Sequence, residues 1–288
     1  MRNIININDN WKFIREDAGL PAEYPGMWQT VDLPHTWNAV DGNDGNGSYY
    51  RGKCWYAKTF PTPAQPLAGG RVFVEFLGAN SEATVYLNGQ ELITHRCGYT
   101  AFRVEITEFA KSGENLLAVK LDTTENPEVP PFGFVIDYLT YGGLYREVWL
   151  DIREQSYIQD LYITTPDLNT LKIRPSLVGA KNCLVLVELL KGERQLLRKA
   201  FTPGGVITIP CPGVKPWEPE HPVLYTCRVS LLKIGQVLDV REVKVGFRTV
   251  EFKADGFYLN GKKTFLRGLN RHQSFPYVGY AVPEQLQR

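Results

Sequence analysis

Short runs of β-branched and aromatic residues, separated by turn residues, recur along this chain and restrict it to an all-β fold. Asn88-Gly89 lies between the runs ATVYL and QELITH, and it favours a type I′ hairpin because both central residues of that turn need positive φ. No sustained helical period precedes residue 250, so the first 153 residues predict one antiparallel β-sandwich. Its clearest strand runs are RVFVEFLG (71–78), EATVYLNG (82–89), NLLAVKLD (115–122) and REVWLDIR (146–153).

A second all-β domain is predicted over residues 154–250. Its runs are separated by turn residues every 8–12 positions, which is typical of an immunoglobulin-like sandwich. The proline-rich segment 210–225 interrupts them, and since proline cannot donate to a central ladder, we expect an ordered loop with a structural role for Trp217. The runs are YIQDLYITTP (157–166), LKIRPSLVG (171–179), NCLVLVELL (182–190), QLLRKAFT (195–202), LYTCRVSLLK (224–233) and VREVKVGFRTV (240–250).

The last segment, residues 251–288, starts a third pattern. Asn260-Gly261 lies between FYL and KTFLRG and predicts another type I′ hairpin. Only 38 residues follow Val250, too few for an independent domain, so this segment is interpreted as the start of a further domain. Its six-residue stretch Gly268–Gln273 combines a turn residue, an amide, a guanidinium and an imidazole, which suggests part of a site for a polar ligand.

Charge and cysteine content exclude several function classes. The net charge is +1 without any basic cluster, and binding to a phosphate backbone needs clustered cations, so no nucleic-acid partner is expected. The chain begins without a signal-peptide pattern and has no apolar run of membrane-spanning length. Its five cysteines are scattered without CxxC spacing, which indicates buried reduced thiols rather than a zinc site or disulfides. We therefore expect a soluble, cytoplasmic protein without a membrane partner.

Two loops combine short carboxylates and amides with aromatic residues, a composition suited to sugars. Such polar groups bond hydroxyls, while an aromatic face covers the C–H side of a sugar ring. The first loop (34–56) carries Asp41, Asn43, Asp44 and Asn46 among glycines, but these are also ordinary turn residues. The second (123–146) carries Asp137 beside tyrosines, and that carboxylate fits either a functional role or an ion pair with Arg146.

Four stretches together resemble glycoside hydrolase family 2, the group of β-galactosidases, β-glucuronidases and β-mannosidases. The resemblance covers most of residues 1–155 and all of 250–288, while the middle domain matches mainly by position and strand pattern. The stretches are LPHTWNAVDG…YYRGKCWYAKTF (33–60), VYLNGQELITHRCGYTAFRVEIT (85–107), DYLTYGGLYREVWL (137–150) and GFYLNGKKTFLRGLNRHQSFPYVG (256–279).

This resemblance implies a jelly-roll sugar-binding domain at 1–153, an immunoglobulin-like domain at 154–250, and the start of a truncated (β/α)8 barrel at 251–288. The segment FLRGLNRH is similar to the family's first barrel strand, and active sites of such barrels gather at the carboxyl ends of the strands. His272 would therefore bind substrate hydroxyls, with Asn270 and Arg271 in support.

Asp137 matches a carboxylate that reaches from the jelly roll into the pocket in galactosidases of this family. In some members it also contacts a sodium ion, so Asp137 is a candidate sodium ligand. Asp44, from the first loop, completes the set of candidate substrate-binding residues. No cofactor is expected in this chain itself, and sodium or magnesium is a candidate for the full-length enzyme.

The family's two catalytic glutamates, which act as acid/base and nucleophile in retaining hydrolysis, are expected downstream of Arg288. The acid/base glutamate follows an asparagine in the family, and this sequence contains no Asn-Glu dipeptide. A complete barrel needs about 250 residues. The chain alone is therefore predicted to be inactive and to need the rest of its own catalytic barrel.

The run Arg271-His272-Gln273, followed by Pro276 and Gly279, is more similar to the galactosidase pattern than to that of glucuronidases, although Gln273 stands where some galactosidases carry Glu. The favoured parent is thus a β-galactosidase that assembles as a homo-oligomer. Alternatives are a β-glucuronidase or β-mannosidase fragment, a non-enzymatic carbohydrate-binding module, or a structural role in assembly.

Overall fold

The computed structural model describes residues 2–41, 49–61, 69–130 and 140–287. Contacts divide this part of the chain into two compact units. The N-terminal unit contains the described residues between 3 and 61, 71 and 152, and 271 and 287. The middle unit contains residues 2, 69–70 and 153–270. The all-β prediction is confirmed, and each unit is built on β-sheets.

The N-terminal unit is a sandwich of two sheets. Its strands are β1 (Asn3–Asn6), β2 (Trp11–Ile14), β3 (Gln29–Val31), β4 (Lys53–Pro61), β5 (Arg71–Phe76), β6 (Glu82–Leu87), β7 (Gln90–Arg96), β8 (Phe102–Glu105), β9 (Glu114–Asp122) and β10 (Val148–Arg153). One sheet has the order β3-β2-β4-β9-β6-β7 and the other β1-β10-β5-β8. All neighbours in the six-stranded sheet are antiparallel.

Alternation along the strands places apolar side chains between these two sheets. On β9, Leu117, Val119 and Leu121 are fully buried, and the residues between them point to the other face of the sheet. Trp11 and Tyr56, from neighbouring strands, add two fully buried rings to the same core. The period-two pattern in the sequence therefore corresponds to one buried face.

The middle unit contains seven strands of a second sandwich and a small three-stranded sheet. The strands are β11 (Tyr157–Asp167), β12 (Thr170–Val178), β13 (Leu184–Lys191), β14 (Arg194–Phe201), β15 (Ile207–Pro210), β16 (Tyr225–Lys233), β17 (Gln236–Val245), β18 (Val250–Lys253), β19 (Gly256–Leu259) and β20 (Lys262–Lys263). The sheets have the orders β11-β12-β15, β14-β13-β16-β17 and β18-β19-β20. The sequence runs predicted six sandwich strands in this unit. The structure has a seventh, the short strand β15, which was not predicted.

The proline-rich loop of the middle unit is held in place by Trp217, as predicted. The Trp217 backbone N–H donates to the carbonyl of Phe247 at 2.8 Å, and the Trp217 carbonyl accepts from Asn260 Nδ2 at 3.0 Å. The guanidinium carbon of Arg248 lies 4.8 Å from the centre of the indole ring. These contacts connect the loop to the chain that enters the last sheet.

Both predicted Asn-Gly hairpins are present. Asn88 and Gly89 have φ of 51° and 87°, and Asn260 and Gly261 have 51° and 76°, so all four adopt the positive φ of a type I′ turn. The chain after the second hairpin differs from expectation, because residues 264–273 form no strand. A parallel barrel strand needs hydrogen-bonding neighbours on its edges, and no neighbouring strand is described beside this segment. A single-turn helix, α1 (Glu284–Gln287), follows it.

The turn between β16 and β17 has the same backbone shape without the usual sequence. Ile234 and Gly235 have φ of 49° and 76°, and the Ile234 side chain is 96% exposed. A β-branched residue is strained in this region because its Cβ crowds the following carbonyl. We expect Ile234→Asn to raise the free energy of unfolding by about 1 kcal/mol in a urea denaturation series.

The matched control for this turn is Ile234→Val, which keeps the β-branch and should leave the denaturation midpoint nearly unchanged. An Asn variant no more stable than the Val variant would contradict the assignment of strain to Ile234.

Candidate functional site

Two of the motif stretches, separated by about a hundred residues, join in the N-terminal unit. Thr36 Oγ1 donates to the carbonyl of Gly142 at 2.7 Å, and the Gly142 N–H donates to Asn38 Oδ1 at 2.8 Å. One step further, the His35 N–H donates to the carbonyl of Leu144 at 2.8 Å. The segment His35–Asn38 therefore fixes the path of residues 141–145, which lead to the candidate site.

The two glycines in this path are required by close approach. A Cβ on Gly142 would lie 2.0 Å from Cζ2 of Trp37, and a Cβ on Gly143 would lie 2.3 Å from the carbonyl oxygen of His35. Gly143 also has φ of 141°, a conformation that side-chain-bearing residues rarely adopt. The backbones can approach this closely only because both positions lack a side chain.

Asp41, a candidate sugar ligand in the first loop, is used inside the protein. Its Oδ2 accepts from Asn38 Nδ2 at 2.8 Å and from the Tyr50 N–H at 3.1 Å. Its Oδ1 lies 3.6 Å from Arg15 Nη1. The ordinary interpretation of this loop as turn chemistry therefore holds at Asp41, while Asn43, Asp44 and Asn46 lie outside the described residues.

The chain from residue 271 onward packs against this same region through Tyr280. The Tyr280 ring lies 4.7 Å from the ring of Tyr141 and 6.2 Å from that of Tyr145, measured between centroids. Gly279 comes so close to Tyr141 that a Cβ would lie 2.2 Å from the ring. Ala281, which follows, is 5% exposed. Ring contacts of Tyr280 therefore hold this segment in place, and the close approach to Tyr141 requires glycine at position 279.

A cavity of about 370 Å³ lies beside the contact between Tyr280 and Tyr145. It is lined by Tyr99, Tyr145, Arg146, Arg271, His272, Gln273 and Tyr280. Tyr99 comes from the loop after β7, while Tyr145 and Arg146 precede β10. Arg271, His272 and Gln273 come from the last segment, so three stretches far apart in sequence line one cavity.

The cavity offers cations, hydroxyls and aromatic faces. Tyr145 is 6% exposed, its OH donates to the carbonyl of Gly98 at 2.6 Å, and burial raises the pKa of this phenol, so it remains a neutral donor at neutral pH. The Arg146 guanidinium carbon lies 5.8 Å from the centre of the Tyr145 ring. Within the described part of the chain, neither Arg146 nor Arg271 forms an ion pair. The lining therefore carries two guanidinium groups that can donate hydrogen bonds to an acceptor on a ligand.

The structure places the predicted site residues in three groups. Arg271 and His272 line the cavity. Asn270 is exposed and is not among the lining residues. Asp44 and Asp137 lie outside the described residues, so their roles stay predictions.

Sequence reasoning missed four lining residues: Tyr99, Tyr145, Arg146 and Tyr280. The first three belong to stretches that carry the family resemblance, GYTAF and YGGLYR, and this was the available signal. The resemblance implied that the jelly roll reaches the pocket through Asp137, but nothing in the sequence indicated that Tyr99, Tyr145 and Arg146 would meet Arg271 and His272.

The described residues contain no group of three or more His, Cys, Asp or Glu side chains placed to hold a metal ion. Four of the five cysteines are buried as predicted, while Cys97 is only partly buried, and all five are free thiols. In the part of the chain that the structure shows, no helix combines the length and the apolar character needed to cross a bilayer.

Comparison with known proteins follows the same division of the chain. Residues 4–153 match the family described as "Glycosyl hydrolases family 2, sugar binding domain", and residues 156–248 match "Glycosyl hydrolases family 2". A β-galactosidase of Thermoanaerobacter pseudethanolicus is 36% identical, with 100% of this chain and 41% of that protein aligned. A protein of Formosa agariphila named as a putative β-glucuronidase is 35% identical over 98% of this chain and 36% of its own length.

Among solved structures, an FMN-binding β-glucuronidase of F. prausnitzii L2-6 superposes with a TM-score of 0.88 and 34% identity, over 98% of this chain and 45% of its own. The chain thus spans about two fifths of the curated relatives it matches. Because the sugar-binding match alone takes in residues 4–153 of the 288, the chain belongs to glycoside hydrolase family 2.

Proposed function

We propose that this chain is the non-catalytic N-terminal part of a retaining β-galactosidase and that it supplies one wall of the sugar pocket. The observation that carries the proposal is the cavity in which Arg271, His272 and Gln273 face Tyr99, Tyr145 and Arg146. Imidazole, guanidinium and amide groups bond sugar hydroxyls, and tyrosine rings cover the C–H face of a pyranose. A mixture of this kind is typical of a carbohydrate site.

Galactose is the favoured sugar for two reasons. The run Arg271-His272-Gln273 with Pro276 and Gly279 is more similar to the galactosidase pattern than to the glucuronidase pattern, although Gln273 stands where some galactosidases carry Glu. A β-galactosidase is also among the most similar relatives, at 36% identity. In this proposal His272 bonds substrate hydroxyls, and Arg271 and Asn270 support it. Asp137 and Asp44 reach the same sugar from the jelly-roll loops.

The chemical step belongs to residues beyond this sequence. Retaining glycosidases use two carboxyl groups about 5–5.5 Å apart, one as acid/base and one as nucleophile. The cavity lining contains no carboxylate among the described residues. The wall described here therefore binds and orients the sugar, and a downstream barrel supplies both glutamates.

Hydrolysis assays test this division of labour. The 288-residue chain and a longer protein that includes its downstream coding sequence are each given chromogenic β-galactoside, β-glucuronide and β-mannoside. We expect hydrolysis of the galactoside by the longer protein only. Turnover by the short chain would overturn the proposal, and sugar binding by the short chain with an inactive longer protein would favour a carbohydrate-binding module instead.

A β-glucuronidase is the second candidate, and the two arginines favour it. Arg146 and Arg271 line the cavity without an ion pair among the described residues, and the guanidinium fork suits a carboxylate. The variant Arg146→Gln in the longer protein distinguishes a β-glucuronidase from a β-galactosidase. A uronide carboxylate held by Arg146 would make the loss of kcat/KM much larger for the glucuronide than for the galactoside.

His272 provides a direct test of the wall itself. We expect His272→Ala in the longer protein to lower kcat/KM for its best sugar about 100-fold, because a donor placed at the reacting sugar acts mainly in the transition state. The matched control is His221→Ala, which removes an exposed histidine of the proline-rich loop and should leave the kinetics unchanged. If both variants had the same kcat/KM as the unaltered protein, His272 would not be a substrate-binding residue.

Three further expectations remain proposals for the parent enzyme. Asp137 is a candidate ligand for sodium. Sodium or magnesium dependence is checked by assaying the longer protein after dialysis into sodium-free potassium buffer that contains a divalent-cation chelator, removal of the chelator, and readdition of each ion. A cytoplasmic location and assembly into a homo-oligomer complete the proposal.

A further inference from the structure

The four-stranded sheet of the middle unit carries an ordered row of charges on the face that does not enter the core. Arg198, Glu188, Arg228 and Glu242 are successive cross-strand partners on β14, β13, β16 and β17. Their charged atoms approach to 3.8 Å, 4.0 Å and 2.6 Å along the row. The signs alternate as plus, minus, plus, minus from one edge of the sheet to the other.

Apolar side chains lie beside this row on the same face. Leu184 pairs with Leu232, and Leu232 pairs with Val237. Leu184 is 48% exposed and Val237 is 37% exposed. A groove of about 380 Å³ lies among them, lined by Leu184, Leu186, Arg198, Lys199, Ala200 and Leu232. A sheet face turned only to water usually carries polar residues, so this combination indicates a partner.

We propose that this face is an interface between two copies of the chain, related by a two-fold axis parallel to the strands. This inference deepens the proposed homo-oligomer by assigning its interface to one sheet face, and it does not depend on the hydrolase activity. Rotation about such an axis reverses the order of the row and keeps the position along the strands. Arg198 then faces Glu242 of the second copy, and Glu188 faces its Arg228. Every charge in the row meets the opposite sign.

The same rotation brings the apolar rows together. The groove lies on the β13–β14 side, so it faces the β16–β17 side of the second copy, where Val237 and Val240 project. Four strands about 4.8 Å apart and about eight residues long give a flat footprint of about 500 Å² per copy. Standard interfaces bury about 800 Å² per partner, so we expect a dimer with a dissociation constant in the micromolar range.

Charge reversal tests the arrangement by sedimentation velocity over a concentration series of the 288-residue chain. Arg228→Glu places two glutamates opposite each other at both symmetry-related contacts, and Glu188→Arg places two arginines there. Each variant alone should weaken dimerisation at least about tenfold. An equimolar mixture of the two restores opposite charges at every contact. The mixture should therefore form a heterodimer over the same concentration range in which the unaltered chain dimerises.

Arg71→Glu is the matched control, because Arg71 belongs to the N-terminal unit, its side chain is about as exposed as that of Arg228, and it pairs with Glu105 at 2.8 Å across β5 and β8. It makes the same charge change and should leave dimerisation intact. A chain that stays monomeric, a dimer indifferent to both reversals, or a mixture that fails to associate would each overturn the proposal. The same holds if the reversals leave the assembly of the longer protein unchanged because its other domains cover this face.

Discussion

Gly143→Ala is expected to cost at least about 3 kcal/mol of stability, more than an ordinary overpacking substitution. The added Cβ would lie 2.3 Å from the carbonyl oxygen of His35 and 3.0 Å from Cα of Thr36. Both are backbone atoms, so no side chain can rotate away to make room. Gly143 also has φ of 141°, which alanine adopts only under strain. The measurement is the free energy of unfolding from urea denaturation.

Gly26→Ala is the matched control, because a Cβ there meets no atom within 4 Å and its backbone needs no positive φ. It should shift the midpoint little. If the two alanine variants were equally stable, the close approach of residues 35–38 and 141–145 would be wrong in detail. A second readout is the cavity, since Tyr145 and Arg146 lie two and three residues after Gly143. Under the proposed function, a displaced loop should also impair sugar hydrolysis by the longer protein.

The second large effect is a loss of stability in acid that originates at His35. Burial lowers the pKa of His35 to about 4, while its ring Nδ1 lies 2.7 Å from the hydroxyl of Tyr56 and its ring packs on Phe13. An unfolded histidine has a pKa of about 6.5, so the unfolded chain takes up the proton first as the pH falls. The folded state therefore loses stability between pH 6.5 and 4, by about 3 kcal/mol in total, and above this window His35 contributes no pH dependence.

His35→Gln removes the titrating group and keeps an acceptor for the Tyr56 hydroxyl. Urea denaturation at about pH 7 and at intervals down to about pH 4 should show a shallower acid loss in this variant than in the unaltered chain. Tyr56→Phe is the control, because it keeps the buried imidazole and should keep the steep loss. Parallel pH profiles for the Gln variant and the unaltered chain would show that acid sensitivity arises elsewhere.

Local features were predictable because they depend on neighbouring residues. Asn88-Gly89 and Asn260-Gly261 adopt the positive φ values that a type I′ turn requires, and the strand runs form strands close to their predicted bounds. The turn at Ile234 escaped prediction because the pairing of β16 with β17 imposes a backbone conformation that isoleucine disfavours. Packing across two long strands outweighs the preference of one residue.

The candidate site divides in the same way. Arg271 and His272 could be named in advance because amide, guanidinium and imidazole groups follow each other in a short stretch and resemble a known motif. Tyr99, Arg146 and Tyr280 could not, because their importance comes from a shared cavity. Nor could the sequence show that Asp41 is used by Asn38 and Tyr50 rather than by a ligand.

By itself, then, the sequence determined the all-β class, the hairpins and the family, since these follow from short-range patterns and from ordered motifs. Only the tertiary structure decided which motifs meet: Thr36 bonds Gly142 across 106 positions, and Gly279 closes on Tyr141. The physical reason is that such contacts depend on shape and on backbone groups that every residue carries. The sequence indicates such contacts only indirectly, through a glycine at a position where no larger residue fits.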